Sequence, residues 1–214
     1  MIDIVPTVVP DSLEGVMQIA KKFSFAPVIH IDAADGKFAP HTTWMPAAGD
    51  RFTEGAYEAH LMVEDARVVG IAFANAGVTT IIGHVEAIGA EASSVFDDWR
   101  SAGAEKVGLA TLLQTPLETL EPYVGLCDYV LLMTIARIGV QGIPFEEFGI
   151  ARIAEFHAQH PEATIAVDGG VSEKNIALLA QAGASHFSVG SAIAKAENPA
   201  AMYERLMNLA TGAV

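Results

Sequence analysis

Cysteine is almost missing. Cys127 stands alone among 214 residues, so no intrachain disulfide can form and a reducing, cytoplasmic setting is the expectation. Basic residues are scarce as well. Twelve Lys and Arg face 26 Asp and Glu, a formal net charge of −14, which argues against nucleic acid and against an anionic membrane surface as partners. No apolar run reaches the length of a membrane span. No basic segment precedes an apolar one around Met1-Ile2-Asp3-Ile4, so no signal peptide is expected. A glycine-rich dinucleotide turn is also missing after the first apolar run, where Val5-Pro6-Thr7 stands instead. That disfavours an open doubly wound sheet. No linker or low-complexity segment divides the chain, so one domain over residues 1–214 is expected.

What is present is apolar and periodic. Hydrophobic residues make up 51% of the chain and charged ones 18%, the balance of a well-buried globular protein. Short apolar runs at 2–5, 28–32, 56–61, 79–84, 106–110, 129–133, 164–167 and 186–189 read as strands. Helical patterns follow most of them, at about 13–23, 64–74, 90–102, 146–159, 172–183 and 199–209, with a short one near 46–51. Thr115-Pro116-Leu117-Glu118 reads as a further helix start, with an N-cap, a first-turn proline and an acidic residue. Eight units in 214 residues leave about 27 residues each, enough for a strand and a crossover helix. Runs rich in Val and Ile suit parallel strands covered on both faces. The expected architecture is an α/β protein, a (β/α)₈ TIM barrel.

Chemistry in such barrels gathers at the C-terminal strand ends. The ends of these runs carry Thr7, His30 and Asp32, His60, His84 and Glu86, Met133 and Thr134, Asp168, and Gly190-Ser191. His30 and Asp32 are two apart and share one strand face. Two readings of that pair are open: a satisfied core histidine beside a loop-capping aspartate, or half of a metal site. His30, Asp32, His60 and Asp168 together form a set of two imidazoles and two carboxylates. Such a set suits Zn²⁺, Mn²⁺ or Fe²⁺ without selecting among them. Gly169-Gly170 and Gly190-Ser191 follow runs seven and eight, where barrels of this class bind phosphate through loop amides.

Several stretches resemble the ribulose-phosphate 3-epimerase family. They are His30-Ile31-Asp32 with Asp35-Gly36 and Phe38-Ala39-Pro40, His60-Leu61-Met62-Val63, His84-Val85-Glu86-Ala87, Thr115-Pro116-Leu117, Val167-Asp168-Gly169-Gly170-Val171 and Val189-Gly190-Ser191-Ala192-Ile193. They fall in family order over nearly the whole chain. The resemblance implies a metal-dependent epimerase acting at C3 of a ketose phosphate. It implies His30, Asp32, His60 and Asp168 as metal ligands, with Asp32 and Asp168 as the acid–base pair. The cation would polarise the C2 carbonyl and stabilise an enediolate. Thr7, Met62, Gly139, Gly169, Gly170, Gly190 and Ser191 would line the substrate and phosphate site. A homo-oligomer is expected by the same analogy.

The chain also departs from the family. Thr7 replaces a serine, and Ala33-Ala34 replaces Val-Met, which should widen the pocket. After run six, Ile135-Ala136-Arg137-Ile138-Gly139-Val140-Gln141-Gly142 replaces the family's Asn-Pro-Gly-Phe-Gly-Gly-Gln. Three readings of that change stand. Arg137 takes over as a phosphate clamp, since guanidinium pairs well with phosphate oxygens; the substrate is a different sugar phosphate; or the barrel binds a sugar phosphate without turnover. A surface arginine paired to Glu146 or Glu147 is the plainer reading of Arg137. Trp44 and Met45 read either as ordinary packing or as a subunit contact.

Overall fold

Eight short strands close on themselves. They are β1 (Asp3–Val8), β2 (Val28–Ala34), β3 (Ala56–Met62), β4 (Thr80–His84), β5 (Lys106–Thr111), β6 (Tyr129–Met133), β7 (Ile165–Asp168) and β8 (His186–Val189). Each is parallel to the next, and β8 pairs back onto β1, giving a TIM barrel. The computed structural model describes residues 1–139 and 142–212. Val140 and Gln141, part of the loop after β6 singled out above, lie outside the described residues.

The helices are α1 (Leu13–Lys22), α2 (Ala66–Asn75), α3 (Val85–Ile88), α4 (Ala92–Ser101), α5 (Phe148–Gln159), α6 (Ile176–Gln181), α7 (Ser191–Ala194) and α8 (Pro199–Thr211). The Ser12 hydroxyl accepts from Gly15 N at 3.0 Å and so caps α1. Asn198 caps α8 in the same way, with Pro199 in the first turn.

Three local expectations fail for physical reasons. First, β1 continues through Pro6 to Val8. Pro6 lacks an N–H, yet it sits in register with Val189 of β8, and pairing to β2 begins one residue later at Thr7. Second, no helix forms near 46–51. The Asp50 carboxylate accepts from Ala47 N at 2.8 Å, Gly49 sits at φ +100°, and the segment closes as a turn. Trp44 packs at 6.2 Å from both Phe52 and Phe73, and Phe52 at 4.4 Å from Tyr57. These rings fill in where a helix would lie, so Trp44 serves packing. Third, the helix expected from Thr115 is replaced by two short 3₁₀ turns, Leu117–Thr119 and Val124–Leu126. The Thr115 hydroxyl donates to Glu86 instead of capping. Pro122 then blocks continuation.

The main core lies between the strands and the helical ring. Trp99, fully buried, packs over Gly70 of α2 and Gly83 of β4. The barrel interior is divided. Ile82, Ala110, Leu131, Met133 and Ala166 make one side apolar. The other side holds His30, Glu58 and Ser188, each at most 2% exposed.

Candidate metal centre

The period-two geometry of β2 and β3 sets the site out. His30 and Asp32 face the interior from β2, Glu58 and His60 from β3, and the register pairs His30 with Glu58 and Asp32 with His60. Asp168 arrives at the end of β7, paired with Met133. One ligand atom from each of His30, Asp32, His60 and Asp168 lies within 4.8 Å of the others.

The contacts within this group favour a cation. His30 Nε2 is 3.3 Å from Asp32 Oδ1; His60 Nδ1 is 3.3 Å from Asp32 Oδ1 and 3.2 Å from Asp168 Oδ2. These are charge contacts without hydrogen-bond geometry. His30 Nε2, Asp32 Oδ1 and His60 Nδ1 are buried with no hydrogen-bond partner among the described residues. Three orphaned, converging, buried polar atoms are costly unless something with the opposite preference sits between them. Imidazole nitrogens and carboxylate oxygens are the donor atoms a borderline divalent ion takes, so the residues fit a metal.

Protonation shows the same strain. Burial pushes His30 and His60 toward the neutral form, but the neighbouring carboxylates outweigh it and raise both pKa values. Burial likewise opposes ionisation of Asp32, yet His30 and His60 hold its carboxyl well below the usual range. Metal and protons would compete for these sites, so binding should release protons.

Behind His60 stands an ordered relay. His60 Nε2 is 2.9 Å from His84 Nε2, and His84 Nδ1 is 3.2 Å from Glu86 Oε2. The Glu86 carboxylate also accepts from Leu112 N at 2.9 Å and from the Thr111 and Thr115 hydroxyls. One proton arrangement satisfies all of them: His60 Nε2–H donates to His84, and His84 Nδ1–H donates to Glu86, leaving His60 Nδ1 free. Burial depresses His84 to about 4, consistent with a neutral ring. Burial works against the Glu86 carboxylate, but His84 and the other donors hold it at about 2.

Above the cluster opens a cleft. Thr7, Met62, Gly139, Gly169, Gly170, Gly190 and Ser191 all line it with Asp32, Ala34 and Asp168. Thr7 Oγ1 is buried without a partner among the described residues. Gly169 and Gly170 take φ of +114° and +68°, and their open faces are closed by Ile135 and Phe145 from the loop after β6. The Thr134 hydroxyl donates to Gly169 O at 2.6 Å and ties that glycine turn to β6. Arg137 behaves differently from its neighbours. It is exposed, is not part of the cleft wall, and among the described residues forms no ion pair with Glu146 or Glu147. Glu58 and His186 are not among the expected site residues. A signal exists for Glu58, which lies two residues before His60 on the same strand face.

The profile of the Ribulose-phosphate 3 epimerase family matches residues 6–194. Ribulose-phosphate 3-epimerase of Schizosaccharomyces pombe is 30% identical over 189 residues, covering 84% of this chain and 80% of that protein. The enzyme of that name from Aquifex aeolicus is 31% identical over 196 residues, covering 88% and 87%. Among solved structures, 3-hexulose-6-phosphate synthase from Salmonella typhimurium superposes with a TM-score of 0.71 at 16% identity, covering 98% of this chain and 99% of that one. At that identity the likeness supports the fold alone.

Proposed function

We propose, from the premise that this chain belongs to the ribulose-phosphate 3-epimerase family and is an isomerase, that it inverts C3 of a ketose phosphate of the ribulose 5-phosphate type. His30, Asp32, His60 and Asp168 would hold a divalent cation, Zn²⁺, Mn²⁺ or Fe²⁺. When bound, the cation supplies Lewis-acid polarisation of the ketose carbonyl. The observation that carries this reading is the set of buried, partnerless His30, Asp32 and His60 atoms converging beside Asp168.

The chain's own groups supply the proton chemistry. Inversion needs a proton removed from one face of C3 and returned to the other. Asp32 and Asp168 both line the cleft, come from β2 and β7, and flank His60 at 3.3 and 3.2 Å. One takes the C3 proton, and the other, protonated, returns one from the opposite face. The Gly169-Gly170 and Gly190-Ser191 turns let backbone approach the phosphate closely. The Thr7 hydroxyl, buried without a partner among the described residues and lining the cleft, would meet a substrate oxygen. Arg137, exposed on the loop after β6 and outside the cleft wall, would have to swing inward to reach the phosphate. Ala34 leaves room in that wall, which favours a second reading in which a larger ketose phosphate is accepted. The proposal includes a cytoplasmic setting and a homo-oligomer; among the described residues no helix is long and apolar enough to cross a membrane.

The test is exchange of the C3 proton with solvent deuterium. Metal-loaded protein should wash deuterium into C3 of ribulose 5-phosphate, or of a hexulose phosphate on the second reading. Chelation should stop it, and Asp168→Asn should slow it by about 10²–10⁴-fold, the range for losing one acid–base group. Failure of exchange with every ketose phosphate and all three metals would overturn the proposal.

A further inference from the structure

Below the cluster, the barrel holds a second buried carboxylate that the proton chemistry does not use. Glu58 is 2% exposed. A carboxylate that deep persists only when donors and charge surround it. His30 Nδ1 lies 2.6 Å from Glu58 Oε1, and His186 Nε2 lies 3.0 Å from the same carboxylate. The Tyr129 hydroxyl donates to Oε2 at 3.4 Å. These partners come from β2, β8 and β6, so one side chain of β3 ties four staves together through the lumen.

We infer that Glu58 is a positioning residue for the metal centre: it accepts the Nδ1 proton of His30, fixes that tautomer, and leaves the Nε2 lone pair facing the cation, while His186 braces the carboxylate from below. The inference rests on the metal-dependent reading above. A carboxylate only accepts, so the imidazole proton belongs on the nitrogen 2.6 Å away. The other tautomer would set a lone pair against a carboxylate oxygen and aim an N–H into the cluster. His30 Nε2, buried and partnerless, is the nitrogen left for the ion. The Ser188 hydroxyl, 3.1 Å from His30 Nδ1, is a weaker competitor for the same proton. The negative charge behind the ring also raises its basicity as a ligand.

The brace is itself charged. Burial pushes His186 down, but the Glu58 charge and the Asp3 and Glu58 carboxylates as acceptors lift it to about 9. His186 therefore carries a proton near neutrality and balances Glu58. The two metal-facing imidazoles are thus anchored differently. His60 reaches its carboxylate through His84, whereas His30 touches its own directly.

Two measurements test this. Cobalt(II) titration followed by its visible absorption should show Glu58→Gln binding about 10–100-fold more weakly than wild type, the usual cost of losing such a partner, with a shifted band. In the zinc-loaded wild-type protein, ¹H–¹⁵N correlation should show His30 protonated at Nδ1 and not at Nε2, a readout that needs no variant to fold. Unchanged cobalt affinity and spectrum in Glu58→Gln, or an Nε2–H tautomer, overturns the role of Glu58 while leaving the metal reading intact. If wild type binds no cobalt, zinc or manganese, the metal reading falls, and this inference with it.

Discussion

Replacing His186 by Gln should change how stability depends on pH, and by an amount the structure sets. His186 stands 3.0 Å from Glu58 of β3 and 3.9 Å from Asp3 of β1, stacks at 5.3 Å on Tyr129 of β6, and feels the His30 charge from β2. Burial opposes its charge, the carboxylates favour it, and the balance moves it from 6.5 to about 9. The folded protein therefore binds this proton more tightly than the unfolded chain. The stabilisation is fully present below about pH 6.5 and is lost as pH rises through about 9. The displacement corresponds to roughly 3 kcal/mol. The side chain is 12% exposed, so solvent screening trims little of it. Glu58 is held far below this window and Tyr129 well above its ordinary value, so neither titrates inside it; His30, raised by its neighbouring carboxylates, is present in both proteins, so its own titration is common to the two curves. Gln keeps an amide donor for Glu58 but cannot ionise. Urea unfolding of chelator-treated wild type and His186→Gln, from about pH 6 to about pH 10, should show a gap that narrows by roughly 3 kcal/mol as pH rises. Parallel stability curves for the two proteins would refute the ion pair.

Two further substitutions address other parts of the chain. Arg137→Ala should leave stability within about 0.5 kcal/mol, because the side chain is exposed and unpaired among the described residues. If the guanidinium takes the phosphate, the KM for a phosphorylated substrate should rise about tenfold with kcat nearly unchanged; an unchanged KM removes Arg137 from the site. Gly70→Ala would drive a Cβ into the indole of Trp99, which is fully buried. Thermal unfolding should show about 1–3 kcal/mol lost to overpacking, more than the helix-propensity gain of about 1 kcal/mol. Undiminished stability would mean that Trp99 has room to shift.

Period and length make the barrel legible. The runs at 129–133 and 186–189 coincide with β6 and β8 because both are bounded by charged or turn residues and carry no proline. Local signals mislead where a side chain finds a distant partner that outbids its local role. The Thr115 hydroxyl is the plainest case. Next to Pro116 it has the local chemistry of a helix cap, but it bonds Glu86, a residue 29 positions earlier in the chain. Asp50 and Gly49 convert an expected helix into a turn, and packing among Trp44, Phe52, Phe73 and Tyr57 makes the helix dispensable. No count of helix formers along 46–51 contains that aromatic cluster.

The upper half of the site can be read from strand ends, because His30, Asp32, His60 and Asp168 each lie within two residues of the end of an apolar run. The lower half cannot. Glu58 sits mid-strand, where an acidic residue ordinarily weakens the case for a buried run, and His186 opens β8 with nothing acidic near it in sequence. Only closure of the barrel brings residues 128 positions apart to 3.0 Å. The same closure explains why a chain so rich in acidic residues can keep a carboxylate buried beneath two others. Asp32 and Asp168 converge from above on lone pairs that call for a cation. Without a positive charge below, Glu58 would add a third negative charge to that column and be driven to protonate. Protonated, it would accept from His30 only weakly and could instead donate to Nδ1, so the His30 tautomer would no longer be fixed. The cationic ring of His186 therefore helps His30 and Tyr129 keep Glu58 in its accepting form, and it links the barrel floor to the His30, Asp32, His60 and Asp168 cluster above it.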